Sequence, residues 1–175
     1  QAGAAILSTA EEVWAIADMI VKVKEPMPQE YAFLREGLII YTYFHFAADE
    51  ELTITCLEKK IVAMAYETVE VNHALPLLKP MSEVAGSMSV LMGAFYLARP
   101  CGGRGVLPMG VTGVAPANVL ILGGGTVGAN AARIAAGLGA KGTIMDINLD
   151  RLEKLGRRLP ANVTTLYSDV TTLRL

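Results

Sequence analysis

The sequence predicts an α/β protein: a Rossmann-like parallel sheet, present as an incomplete half, joined to part of a second α/β lobe. Three observations predict it. Short apolar runs alternate with helix-length amphipathic segments along the 175 residues. Several of the runs are uniformly apolar, as parallel strands covered on both faces are. One of them, "NVLIL", stops on a glycine cluster that opens the next helical segment.

Taken in order, "MIVKVK" (19–24), "LIIYTYF" (38–44), "VAMAY" (62–66), "NVLIL" (118–122), "GTIMD" (142–146) and "NVTTLY" (162–167) read as strands. Between them lie the predicted helices "AEEVWAIA", "PQEYAFLR", "EELTITCLEKK", "MSEVAGSMSVLMGAFYL", "TVGANAARIAAGLG" and "NLDRLEKLGRR". Two prolines in "ALPLLKP" (74–80) interrupt regular structure just before the longest helix, which divides the chain into 1–77 and 78–175. The Gly/Pro-rich stretch 99–118 reads as an irregular loop.

Composition narrows the function. At 53% hydrophobic, with a mean hydropathy of +0.41, the chain fills a core easily and leaves apolar surface for a partner or a second copy. A net charge of −2 carries no electrostatic footprint for nucleic acid. The longest apolar stretch, 84–98, holds two serines and two glycines and falls short of the ~20 residues a membrane span needs. Cys56 and Cys101 stand far apart with no metal-like spacing, which fits a reduced cytoplasm and predicts no metal site. The chain opens on "QAGAAIL" without a methionine, so a piece of a longer protein is expected.

Gly123, Gly125 and Gly128 form G-x-G-x-x-G between a predicted strand and a predicted helix. In a dinucleotide fold the first glycine permits the tight turn, and the second leaves room for a pyrophosphate. The third lets helix and strand pack closely. The helix N-terminus adds unpaired N–H groups and the positive end of its dipole. The next strand ends on Asp146, 18 residues after Gly128, where a carboxylate accepts from ribose hydroxyls and repels a 2′-phosphate. The cofactor expected is therefore NAD. A plain structural turn followed by a helix-capping Asp is the competing reading.

In "MIVKVKEP", Lys22 and Lys24 share a strand face. Either a lysine aims its ammonium at a substrate carboxylate or carbonyl, or both are snorkelling surface residues. His45 ends the apolar run "LIIYTYFHF" and is either an acid/base group at the mouth of a sheet or a satisfied core histidine. Tyr41 and Tyr43 read as sheet packing, and His73 lies in a turn-like context.

These pieces in this order resemble the alanine dehydrogenase family. The resemblance rests on "ADMIVKVKEP", "LREGLIIYTYFHFAAD", "AYETVE", "LPLLKPMSEVAGSM", "GGRGVL" and "ILGGGTVGANAARIAAGLGA" with "MDINLDRL". "KVKEP" and "PMSEVAG" are its most specific parts. It implies NAD-dependent, reversible oxidative deamination of L-alanine to pyruvate and ammonia by a homo-oligomer. Residues 1–77 would then belong to the substrate lobe, and 78–175 to the first half of the NAD-binding domain. Lys24 would bind substrate, and His45 would exchange the proton as water adds or leaves. Ser82, Thr126 and Val127 would contact the cofactor phosphates. Asp146 would hold the adenosine ribose, with Arg151 and Ser168 on the adenosine side.

Departures from the family pattern are expected to matter. Its substrate-carboxylate arginine precedes Gln1, and its catalytic aspartate follows the last residue. The loop reads "LPMGVTGV", and "VNHALPLL" lacks an Asp-Gly turn. The 175 residues alone are expected to bind adenosine weakly without turnover. Two other functions compete: the nucleotide-binding part of a proton-translocating transhydrogenase, and a non-catalytic NAD-binding or assembly domain.

Overall fold

The computed structural model describes residues 2–174. Two compact units result, Gln1–Leu78 and Lys79–Leu175, each built on a three-stranded parallel sheet.

The first unit runs α1 (Ala10–Ile16), β1 (Met19–Val21), β2 (Ile39–Thr42), α2 (Glu50–Glu58) and β3 (Val62–Ala65), with sheet order β1-β2-β3. Thr9 caps α1 by accepting the Glu12 N–H, and Asp49 caps α2 by accepting from Leu52. Each satisfies a donor that the first helical turn leaves unpaired. Trp14, Ile40, Phe44 and Leu52 are buried together as the core. Cys56 joins them, and burial, helped by Asp49, pushes its thiol up to about 11, which makes it a packing residue rather than a nucleophile.

The segment predicted as the helix "PQEYAFLR" is instead a 3-10 turn over Pro28–Phe33. Two short-range bonds suffice to cross it, Glu30 N–H to Met27 O at 2.7 Å and Leu34 N–H to Tyr31 O at 3.3 Å. Arg35 follows and donates to the carbonyls of Trp14 and Ala17, at 2.5 and 2.6 Å, where α1 ends. Arg35→Ala is expected to destabilise this unit by about 1 kcal/mol, since charged donors to exposed helix ends are worth that order. A urea-unfolding midpoint unchanged from the parent would contradict this.

"VNHA" supplies its turn without glycine. Asn72 and His73 both take left-handed backbone, φ 50° and 59°, and the Val71 and Ala74 amides and carbonyls pair across them. Two left-handed central residues define the type I′ turn, which asparagine tolerates best after glycine.

The second unit runs α3 (Lys79–Tyr96), β4 (Asn118–Leu122), α4 (Thr126–Gly137), β5 (Lys141–Asp146), α5 (Leu149–Gly156) and β6 (Val163–Tyr167), with sheet order β4-β5-β6. α3 begins at Lys79 and takes in Pro80, because a first-turn proline has no intrahelical N–H bond to lose. Gly86 brings α3 onto α4: a Cβ there would stand 2.2 Å from the Val127 carbonyl oxygen. Away from that contact α3 exposes Val84, Leu91, Phe95 and Tyr96.

Burial departs from the expectation of strands covered on both faces. Central β5 does bury Ile144 and Met145, at 0% and 2% exposure, but edge strand β4 leaves Leu120 and Leu122 at 60% and 67%. Leu120 and Leu122, two residues apart, share one face of β4, and that face lines an open cleft. Among the described residues no helix is long and apolar enough to cross a membrane.

Candidate active site

The glycine turn is built as its spacing implies. β4 ends at Leu122, and the Gly123 N–H still pairs with the Met145 carbonyl at 2.8 Å. Gly123 then turns with φ +95°, a conformation side chains resist. A Cβ on Gly128 would lie 1.8 Å from the Gly123 carbonyl oxygen, so helix and turn touch backbone to backbone. Gly125 is the N-cap of α4 and offers no side-chain acceptor, while a Cβ on it would meet nothing within 4 Å. The first-turn amides of α4 therefore open onto free space, as an anionic ligand requires.

That space belongs to a cleft of about 1030 Å³ bordered by Ser82, Arg104, Gly123, Gly125, Thr126, Val127 and Gly128. It continues along β4 to Asn118. Ser82 lies in the first turn of α3, which the Gly86 contact holds against α4. Six residues predicted to meet the cofactor thus border one cavity. Arg104 was not among them. It is the single charged side chain in the cavity wall among the described residues, and no sequence spacing points to it.

Asp146 closes β5 beside the same turn. It accepts from the Gly124 N–H at 2.6 Å, from the Asn148 N–H at 2.8 Å, and from Arg151 at 3.0 Å. Burial pushes this carboxyl up, but the Asn148 and Gly124 amides and the Arg151 guanidinium outweigh it, holding the group below its ordinary value. The sign for stability follows. A depressed folded-state value contributes stability that is complete above about pH 4, the unfolded range for Asp, and is lost as pH falls through the folded value. Asp146→Asn is expected to flatten that acid limb in thermal melts taken below about pH 4. An unchanged limb would contradict the assignment. Ser168 follows β6 and donates its N–H to the Asp146 carbonyl at 3.0 Å.

In the first unit the polar residues gather at the C-terminal ends of the strands, where open α/β sheets bind ligands. The regular strand stops at Val21, short of the predicted 19–24, yet pairing continues: Lys22 N–H to Tyr41 O at 3.2 Å, Tyr43 N–H to Val23 O at 3.3 Å. The buried Thr42 hydroxyl donates to the Lys24 carbonyl at 2.7 Å, pinning that backbone. Continuing the β1–β2 register sets Lys24 beside Phe44, one residue before His45. The two lysines differ. Lys22 is tied to Glu30 and lies 5.7 Å from the Trp14 ring centroid, whereas Lys24 is exposed.

His45 is exposed and holds left-handed backbone, φ 55° and ψ 35°. Its N–H donates to Glu67 Oε1 at 2.7 Å, and its ring stacks on Tyr43 with centroids 6.2 Å apart. Tyr43 is anchored in turn through its hydroxyl, which donates to Leu77 O at 2.6 Å. Tyr43 is thus more than the sheet packing expected of it. Glu67, in the 3-10 turn after β3, was missed: "AYETVE" has no periodicity that singles it out, and only the fold sets it against His45. Its Oε2 is buried without a partner among the described residues.

Comparison with known proteins accounts for both units. The family model described as Alanine dehydrogenase/PNT, N-terminal domain matches residues 1–85, and Alanine dehydrogenase/PNT, C-terminal domain matches 89–174. The chain belongs to this alanine dehydrogenase/PNT family. Among curated members, the alanine dehydrogenase of Methanococcus maripaludis is 54% identical over 96% of this chain and 45% of its own length. That of Bacillus subtilis is 49% identical over 96% and 44%. A solved L-alanine dehydrogenase superposes with TM-score 0.85 at 48% identity, covering 98% of this chain and 47% of that one. A transhydrogenase from Sinorhizobium meliloti shares the fold at TM-score 0.70 and 24% identity, over 91% of this chain and 47% of that chain. The chain spans a little under half the length of the alanine dehydrogenases it matches. Within the alanine dehydrogenase/PNT family it lies much nearer the alanine dehydrogenases than this transhydrogenase.

Proposed function

We propose that this chain carries the substrate and adenosine-side cofactor residues of an NAD-dependent alanine dehydrogenase, which converts L-alanine, water and NAD+ to pyruvate, ammonium, NADH and a proton. The observation that carries this is the emergence of Lys24 and His45 from adjacent strand ends, both exposed at one edge of a parallel sheet. Lys24 offers an ammonium to the substrate's carboxylate or carbonyl oxygen. His45 takes a proton from water as it adds to the imine carbon and opens its C=N bond, and returns one in the reverse direction. The Glu67 bond to the His45 amide keeps the imidazole at the end of β2 despite its unfavourable backbone.

NAD, when bound, supplies the hydride acceptor. The residues fit it: the α4 amides face the space left at Gly125, and Ser82 and Arg104 border that space. Asp146 would accept from the ribose hydroxyls, and as an anion it would disfavour a 2′-phosphate. Arg151 and Ser168 flank it. Free thiols at Cys56 and Cys101 suit the cytoplasm.

The test is L-alanine-dependent NADH formation by the full-length protein, with NADH fluorescence titration alongside. Lys24→Ala is expected to raise KM for alanine and pyruvate at least tenfold, the order for one lost charged contact. A protein that binds NADH and ignores alanine would end this proposal.

A further inference from the structure

Strand alternation alone would put Lys22 and Lys24 on one face, and a slip in the ladder separates them. Up to Val21 the β1–β2 register is uniform, and a uniform ladder would next bring the Tyr43 N–H to the Lys22 carbonyl. That N–H bonds the Val23 carbonyl instead, at 3.3 Å, so the β1 side carries one extra residue. An extra residue turns the side chains beyond it to the other face. Lys22 is accordingly held at Trp14 and Glu30, while Lys24 is exposed. The slip also takes the Lys24 backbone out of the ladder. Among the described residues its N–H has no acceptor, and its carbonyl accepts from the Thr42 hydroxyl alone, at 2.7 Å.

Thr42 ends β2 on the strand face that buries Ile40 and Phe44, and is itself 0% exposed. A hydroxyl in such surroundings is unfavourable unless it is bonded. Valine would fill the same space with the same branched shape, so what the hydroxyl adds is its bond to Lys24. We infer that Thr42 is a positioning residue for substrate binding: its buried hydroxyl fixes the Lys24 backbone, and with it the reach of the Lys24 ammonium. This rests on the reading of Lys24 as the substrate contact. Without the hydroxyl, the slipped end of β1 is free to turn its carbonyl to water. A long side chain on a looser backbone then gives up more freedom when it takes hold of a ligand. His45 is tethered separately, through Glu67, so Thr42 acts on substrate binding and leaves the proton transfer alone.

The experiment is steady-state kinetics on the full-length protein and its Thr42→Val, Thr42→Ser, Lys24→Ala and Thr42→Val/Lys24→Ala variants. Thr42→Val is expected to raise KM for alanine and for pyruvate about three- to tenfold, the range spanned by one neutral hydrogen bond. Its kcat and its KM for NAD should stay within about twofold of the parent, inside the spread of changes that touch no contact. Thr42→Ser keeps the hydroxyl and should lie nearer the parent than Thr42→Val does. A residue that served packing alone would reverse that order, because valine keeps the branched shape and serine leaves a methyl-sized gap. In the Lys24→Ala background Thr42→Val should add nothing to KM, since the group it positions is gone. Thermal melts check folding, and Thr42→Ala carries the same KM test where valine does not fold. An unchanged KM in Thr42→Val, the reversed order, or an equal rise with Lys24 absent overturns the inference. If Lys24→Ala raises KM while Thr42→Val does not, Lys24 stands and Thr42 is discarded. If Lys24→Ala leaves KM as it was, the reading of Lys24 is itself wrong and the inference goes with it.

Discussion

Gly128→Ala is expected to unfold much of the 79–175 unit, whereas Gly125→Ala, three residues earlier, should leave the fold intact and remove the cofactor. The added carbon is the same in both, but its surroundings differ. At Gly128 it would lie 1.8 Å from the Gly123 carbonyl oxygen and 3.2 Å from Ile121 Cγ2. The first neighbour is backbone, so no rotamer change relieves the overlap. Helix α4 would have to back away from β4, opening the packing of Ala131 and Ala132 against Ile121 and Ile144. Overpacking ordinarily costs about 1–3 kcal/mol, and an unyielding backbone contact belongs at or above the top of that range. At Gly125 the new methyl meets nothing, and φ −67° with ψ −167° is ordinary for alanine. Its stability should stay within about 0.5 kcal/mol of the parent. The methyl would project where a pyrophosphate approaches the α4 amides, so NADH affinity should fall at least tenfold. Urea melts and NADH titrations of the two variants decide the matter. A stable Gly128→Ala protein, or Gly125→Ala with full NADH affinity, would refute the corresponding half.

His45→Ala is expected to lower kcat for alanine deamination by about 10²–10⁴-fold, the range for removal of a positioned acid/base group. KM should change little, because Lys24, the proposed substrate contact, is left in place. The Glu67 contact supplies a finer comparison. Glu67→Gln keeps a carbonyl-type oxygen for the His45 N–H, and Glu67→Ala removes it. Alanine should therefore reduce kcat well beyond glutamine, since the left-handed backbone at residue 45 loses its tether. Retention of kcat within about threefold in His45→Ala would show that the proton moves elsewhere.

Much of the fold was legible because its signals are local. The strand–glycine–helix–strand–acid order of 118–146 is carried by contiguous residues whose chemistry admits few other conformations, and β4, α4 and β5 form within a residue or two of their predicted bounds. The exceptions have physical causes. "PQEYAFLR" closes as a 3-10 turn because two i→i+3 bonds span it, and "MIVKVK" ends as a regular strand at Val21. Pattern alone could not separate Lys22 from Lys24. Only the fold brings Glu30 and Trp14 to Lys22 and leaves Lys24 exposed. Glu67 and Arg104 were invisible for the same reason: each matters through a neighbour distant in the chain.

Sequence by itself determined the class of fold, the glycine turn and the acid that follows it, because glycine placement and apolar periodicity are properties of neighbouring residues. Tertiary structure decided what surrounds each candidate. It set Gly125 open and Gly128 closed, surrounded Asp146 with three donors, and hung His45 from Glu67. Those facts depend on distances between residues far apart in the chain, which no local pattern encodes.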